Sequence, residues 1–227
     1  MNPKNLLILL FFLHGFQFLI AQINPVPSPS QSKPVVLWGG IIHTGNGKII
    51  QKGYLRFEQG KITQISETGN NSKDTIKGQL INVEDKHIYP GLIALNTQLG
   101  INEIDAARPT IDKNEVGEIN PNARTLIAYN TDSKVTPTVR SNGILMAEIA
   151  PIGGLVSGTS SLVQLDAWNW EDAAYKTDFA VHLNWPPFFV KQGWWAEPGE
   201  LKKTNNEKKI NQLKKLFDDL QGYHASA

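Results

Sequence analysis

Two side-chain amides, Asn96 and Gln98, come at the end of a short apolar run over residues 92–95. The run predicts a buried β-strand, and side chains two residues apart on a strand point to the same face. We therefore expect both amides to leave the strand on one side. Neutral amides are weak ligands for Zn²⁺, which prefers imidazole nitrogen, thiolate or carboxylate. The pair is therefore a poor candidate for a Zn²⁺ site.

Further candidate residues carry charge or an imidazole. Glu103 and Asp105 follow the strand, and three more carboxylates come later in the same stretch, at Asp112, Glu115 and Glu118. Together they predict either an oxygen-ligand site for a hard cation or a solvated acidic loop. His182 lies in an apolar run and is either a metal ligand or a satisfied structural histidine. The candidate pocket consists of Asn96, Gln98, Glu103, Asp105 and His182.

Two other groups have alternative interpretations. The hydroxyls around Gly158 predict an anion-binding or nucleophile loop, or a plain polar turn, and there is no G-x-S-x-G motif. The aromatic residues of the C-terminal half predict a lid, a sugar-stacking surface or a subunit contact, or a hydrophobic cluster under a long loop. This aromatic group comprises Trp168, Trp170, Trp185, Phe188, Phe189, Trp194 and Trp195.

The start of the chain and its composition predict the cellular compartment. Lys4 precedes an apolar segment that is interrupted by His14, Gly15 and Gln17, so residues 1–21 are predicted to be a secretory signal peptide. The mature protein is then exported, to the periplasm or the extracellular space, without stable membrane insertion. Residues 22–34 are rich in Pro and Ser and predict a linker. A net charge of +1 gives no reason to expect nucleic acid, and zero Cys excludes thiolate sites.

The elements that must position these residues fall into two parts. Residues 35–89 contain short alternating runs and Gly turns, which predict a small antiparallel β domain with a hairpin around Gly60. Residues 90–227 alternate apolar runs with polar segments, which predicts a parallel α/β arrangement. Its expected strands are 92–95, 144–149 and 162–165, and its expected helices are 170–176, capped by Asn169, and 210–220.

Three motifs resemble the N-terminal half of the amidohydrolase superfamily, nearest its imidazolonepropionase-like group. They are V-V-L-W-G-G-I-I-H-T-G-N-G-K-I-I with the later G-K-I, P-G-L-I at 90–93, and V-R-S-N-G-I followed by a Gly-rich loop at 153–158. The resemblance implies a (β/α)₈ TIM barrel of the metallo-dependent hydrolase type, with a composite β-sandwich formed by residues 35–89. The family's first barrel strand carries an H-x-H pair that binds Zn²⁺ or another divalent metal. Asn96 and Gln98 stand in those places here.

The resemblance implies a hydrolase that acts on non-peptide carbon–nitrogen bonds of small, cyclic amide-like substrates. The part after Tyr89 is about half of a barrel that typically needs ~250 residues. We therefore expect a barrel fragment, residues 90–227, with a degenerate metal site and no cofactor bound by this chain. The alternative is a non-catalytic binding or partner subunit, in a homo- or hetero-oligomer with an active relative.

Overall fold

A computed structural model describes residues 26–69, 76–187 and 199–226, which form two β-sheets and few helices. The predicted signal peptide lies outside the described residues. Within them, no helix combines the length and apolarity needed to cross a membrane. Residues 26–34 of the predicted linker have no regular secondary structure.

The first sheet contains five strands, and β1 (Val35–His43) is at its centre. β2 (Ile49–Glu58) and β3 (Lys61–Glu67) pair antiparallel in the order β3-β2-β1, joined by the predicted hairpin at Gly60. β4 (Gln79–Asn82) and β5 (His87–Ile88) pair with the other edge of β1 and run parallel to it. The expectation of an entirely antiparallel unit is therefore wrong, because the chain crosses back to the starting end of β1 before β4.

Alternating residues of β1 bury one face of this sheet. Val36, Trp38 and Tyr54 form one cluster, in which the Trp38 and Tyr54 rings stack with centroids 5.4 Å apart. A second cluster joins Ile42 and Ile50 with a third residue, Leu55. The strand period of two thus accounts for the buried pattern.

The second sheet has the order β6-β7-β8-β9 and holds the candidate site. Its strands are β6 (Leu92–Thr97), β7 (Ile144–Ile149), β8 (Val156–Gln164) and β9 (Ala174–Leu183). β6 and β7 are parallel, as predicted, whereas β8 and β9 are antiparallel to their neighbours. The prediction of a wholly parallel arrangement is wrong here because the turn through Gly153 and Gly154, both at positive φ, is too short for a parallel crossover.

The connections in this half are mostly irregular. Between β6 and β7 lie two 3₁₀ helices, Arg108–Thr110 and Thr125–Ala128, and helix α1 (Thr136–Ser141). Helix α2 (Trp170–Ala173) begins at the predicted cap, where the Asn169 side chain accepts a hydrogen bond from the Asp172 N–H. It ends three residues earlier than predicted, because β9 starts at Ala174. The described chain is mixed α/β and mostly strands, and it does not show a closed barrel.

The last element is helix α3 (Gly199–Ser226), which includes the predicted helix at 210–220. Leu213 is fully buried against Leu155 and Val156, at the start of β8. Phe217 and Leu220, also in the predicted apolar stripe, remain about half exposed. The helix therefore packs on its own sheet, as predicted, but through a narrower contact than the stripe indicates.

Candidate functional site at the end of strand β6

Strand β6 contains a bulge at Asn96. Ala94 pairs with Ala147 and Thr97 with Ile149, so β6 uses three steps where β7 uses two. The extra residue is accommodated at Asn96, whose φ of 54° lies in the left-handed region that residues other than Gly rarely adopt. Asn is among the few residues that tolerate this conformation, which gives a local reason for its presence.

The bulge interrupts the β-ladder, and Glu148 of β7 supplies the missing partners. Its Oε2 accepts a hydrogen bond from the Asn96 N–H at 3.1 Å. Its backbone oxygen accepts one from the Thr97 hydroxyl at 3.2 Å. Because a part-buried N–H without a partner costs free energy, this carboxylate stabilises the bulge directly.

The other carboxylate oxygen of Glu148 is held by β8 and β9. Ser160 Oγ donates to Oε1 at 2.8 Å, and His182 Nε2 lies 3.1 Å from the same atom. Glu148 is only 6% exposed, and Ser160 is completely buried. One polar cluster, which we call the Glu148 cluster, therefore links Asn96, Glu148, Ser160 and His182 across all four strands of the sheet.

The electrostatics of the Glu148 cluster favour an ionised carboxylate. Burial raises the pKa of Glu148, but the hydrogen bonds from Ser160, the Asn96 N–H and His182, together with the charge of His182, outweigh burial and leave the pKa lowered. A lowered pKa in the folded state means that Glu148 contributes stability above its unfolded pKa of ~4.3. That contribution is lost as the pH falls through the lower folded value.

This sign leads to a pH prediction. Glu148→Gln removes the titration, so urea midpoints of the parent should fall more steeply than those of the variant between about pH 5 and pH 3. The difference between the two proteins isolates Glu148 from the other carboxylates. Parallel curves for parent and variant would contradict the assigned role.

Among the described residues, hydrogen bonds connect some of the five predicted pocket residues and not others. His182 joins the backbone of Asn96 through Glu148, whereas Glu103 accepts hydrogen bonds from Ser133 at 3.0 Å and Asn130 at 3.5 Å. Asp105 is exposed, and hydrogen bonds from Asn102 and Lys113 lower its pKa. The described hydrogen bonds therefore connect Asn96 with His182, and the pocket as a set of five stays a prediction.

Gln98 also departs from expectation. β6 ends at Thr97, and the left-handed residue at 96 breaks the strand alternation before Gln98 is reached. The argument that Asn96 and Gln98 share a face because they are two residues apart is therefore wrong. Asn96 is exposed and Gln98 is half-buried.

Glu148 is the central residue that the sequence interpretation missed. The available signal was an acidic residue within an otherwise apolar strand, I-L-M-A-E-I. A buried charge in a strand requires donors from its neighbours, so it marks a polar cluster before the fold is known. The partners themselves, on β8 and β9, could not be named without the sheet order.

The hydroxyl-rich segment is a buried strand and not a loop. Residues 156–161 form the first part of β8, so both the anion-loop and the polar-turn interpretations are wrong. Ser157 donates to the Gly153 oxygen and Thr159 to the Pro121 oxygen. These two hydroxyls form structural hydrogen bonds to the backbone.

The residues present do not fit the family's metal. Amides stand at positions 96 and 98, and both oxygens of Glu148 already have hydrogen-bond donors. Among residues 26–69, 76–187 and 199–226, no group of three His, Asp or Glu side chains could hold a metal ion.

The aromatic group is only partly described. Trp170 packs against the core of the second sheet, whereas Trp168 and Trp185 are exposed. Phe188, Phe189, Trp194 and Trp195 lie outside the described residues. The choice between a lid, a binding surface and a contact stays a prediction.

Comparison with solved structures gives the fold. An amidohydrolase from Thermotoga maritima superposes with a TM-score of 0.67 at 14% identity, over 85% of this chain and 49% of that one. The fold is amidohydrolase-like. A prolidase complexed with N-methylphosphonate-L-proline aligns over 50% of this chain and 25% of that one, at 16% identity. Its TM-score of 0.34 is too low to indicate a shared fold. No family model and no curated protein matches the sequence.

The likeness to the Thermotoga structure covers only part of that protein. The chain spans about half the length of the Thermotoga structure. At 14% identity the likeness concerns the backbone, and function has to be argued from the site.

Proposed function

We propose that this protein is part of an exported amidohydrolase-type hydrolase that acts on non-peptide carbon–nitrogen bonds of small, cyclic amide-like molecules. The observation that carries the proposal is the match of the chain to half of an amidohydrolase. In support, Asn96 and Gln98 lie at or just after the carboxyl end of β6, and barrel enzymes bind substrate at the carboxyl ends of their strands. In this proposal the remaining barrel strands come from sequence beyond this chain or from another subunit.

The described part would contribute binding and no metal chemistry. Asn96 and Gln98 each offer an amide that can both donate and accept, which matches the C=O and N–H groups of an amide substrate. Hydrogen bonds of this kind orient a ligand without activating water. Any group that activates water belongs to the proposed remainder of the protein.

One observation favours a second function, that of a non-catalytic binding or partner subunit. Both oxygens of the Glu148 carboxylate already have hydrogen-bond partners within the Glu148 cluster, and the side chains at positions 96 and 98 are neutral amides. A chain of this kind would complete or regulate an active amidohydrolase relative in a homo- or hetero-oligomer.

The experiment that separates the two functions uses protein purified from its own source. Amidase and cyclic-amidase turnover is measured together with metal content and subunit composition. Turnover by this polypeptide with no intact relative present supports the hydrolase. Turnover only in a complex with an H-x-H relative supports the partner subunit, and a lone inactive monomer rejects both.

A further inference from the structure

The bulge at Asn96 requires a left-handed backbone and a hydrogen-bond partner for an N–H that lies outside the regular β-ladder. Its backbone is left-handed at φ = 54°, and its N–H points away from the normal ladder partner, because the register with β7 shifts between Ala94 and Thr97. A residue held in such a conformation persists only where its surroundings fix it, and such residues are found at functional sites.

Glu148 meets this requirement from the neighbouring strand. The bond from the Asn96 N–H to Oε2 is charge-assisted, and the Thr97 hydroxyl adds a second link to the Glu148 backbone oxygen. The carboxylate has little freedom to leave, because Ser160 and His182 both hold Oε1.

Asn96 and Gln98 depend on the backbone that Glu148 holds. The chain forms a turn directly after the bulge, in which the backbone oxygen of Gln98 accepts a hydrogen bond from the Ile101 N–H at 3.1 Å. The conformation at 96 therefore sets the direction of both the Asn96 side chain and the segment that starts at Gln98.

We propose that Glu148 is a positioning residue that locks the β6 bulge and thereby fixes the directions in which the Asn96 and Gln98 amides are presented to a ligand. The ligand role of the two amides rests on the proposed function. The lock itself does not, since it is a property of this backbone.

The test uses amide hydrogen exchange and backbone NMR on the full chain. Glu148→Gln keeps the size of the side chain but removes its charge and one acceptor oxygen. We expect the Asn96 N–H to exchange about tenfold faster, as for the loss of one good hydrogen bond, and the Gln98 amide resonance to shift. Glu115→Gln is the matched control, because this exposed carboxylate bonds only its neighbour's N–H at Val116 among the described residues.

A rescue variant distinguishes positioning from a general structural role. Gly adopts positive φ readily, so Asn96→Gly should make the bulge less dependent on Glu148. In the Asn96→Gly background, Glu148→Gln should move the Gln98 resonance less and lower stability less than in the parent. Unchanged exchange at Asn96 in Glu148→Gln, or equal effects in both backgrounds, would overturn the proposal. Neither readout uses turnover, so failure of the proposed function is seen separately.

Discussion

Gly158→Ala is expected to lower the free energy of unfolding by about 3 kcal/mol, from a strained backbone and a steric clash together. Gly158 has φ = 137°, and a Cβ at this position would lie 2.7 Å from the Ala123 backbone oxygen. That oxygen accepts the Thr159 N–H, and Arg124 forms a parallel bridge with Thr159, so the backbone cannot move aside cheaply. Urea unfolding of parent and variant measures the loss.

Gly60→Ala is the matched control for this prediction. Gly60 also has positive φ, at 71°, but a Cβ there would meet nothing within 4 Å. We expect its cost to be about 1 kcal/mol, for the left-handed conformation alone. Equal losses in the two variants would contradict a close approach between residue 158 and the 121–124 segment.

Leu213→Ala is expected to cost about 3 kcal/mol and to loosen helix α3. Leu213 is 1% exposed and packs between Leu155 and Val156, so its truncation leaves a cavity at the main contact of the helix. Leu220→Ala, on the same helix but 53% exposed, should cost less than about 0.5 kcal/mol. Urea unfolding monitored by helical circular dichroism compares the two variants, and equal small losses would show that α3 is not anchored through Leu213.

Local signals were sufficient to predict most individual elements. The Gly60 hairpin, the β6 and β7 strands, the Asn169 cap and the final helix all follow from period, turn and capping residues. The amidohydrolase-like fold follows from the resemblance of three sequence motifs to that superfamily. The order and direction of β4, β8 and β9 could not be predicted, since strand direction depends on connections whose paths leave little sequence signal.

The sequence points to the end of β6 and to His182, but it does not reveal the hydrogen bonds that join them through Glu148. Glu148 was missed because its partners come from strands distant in sequence. The bulge was missed because Asn96 fits equally well as a regular strand-end residue and as a left-handed one.

The contribution that residues 96 and 98 would make to a metal site can be tested on this chain. Asn96→His with Gln98→His restores the family's H-x-H residue types, but the bulge breaks the alternation that would let two imidazoles share one metal.

Calorimetric Zn²⁺ titration tests this central claim most directly. The parent and the double variant Asn96→His with Gln98→His are compared in a His43→Ala background, because His43 Nε2 and His87 Nδ1 lie 2.9 Å apart and form a separate histidine pair. We predict no stoichiometric binding by the parent and, for the double variant, a Kd no tighter than about 1 μM, which corresponds to roughly −8 kcal/mol. Stoichiometric nanomolar binding by either protein would contradict a metal-free hydrogen-bonding site at the end of β6.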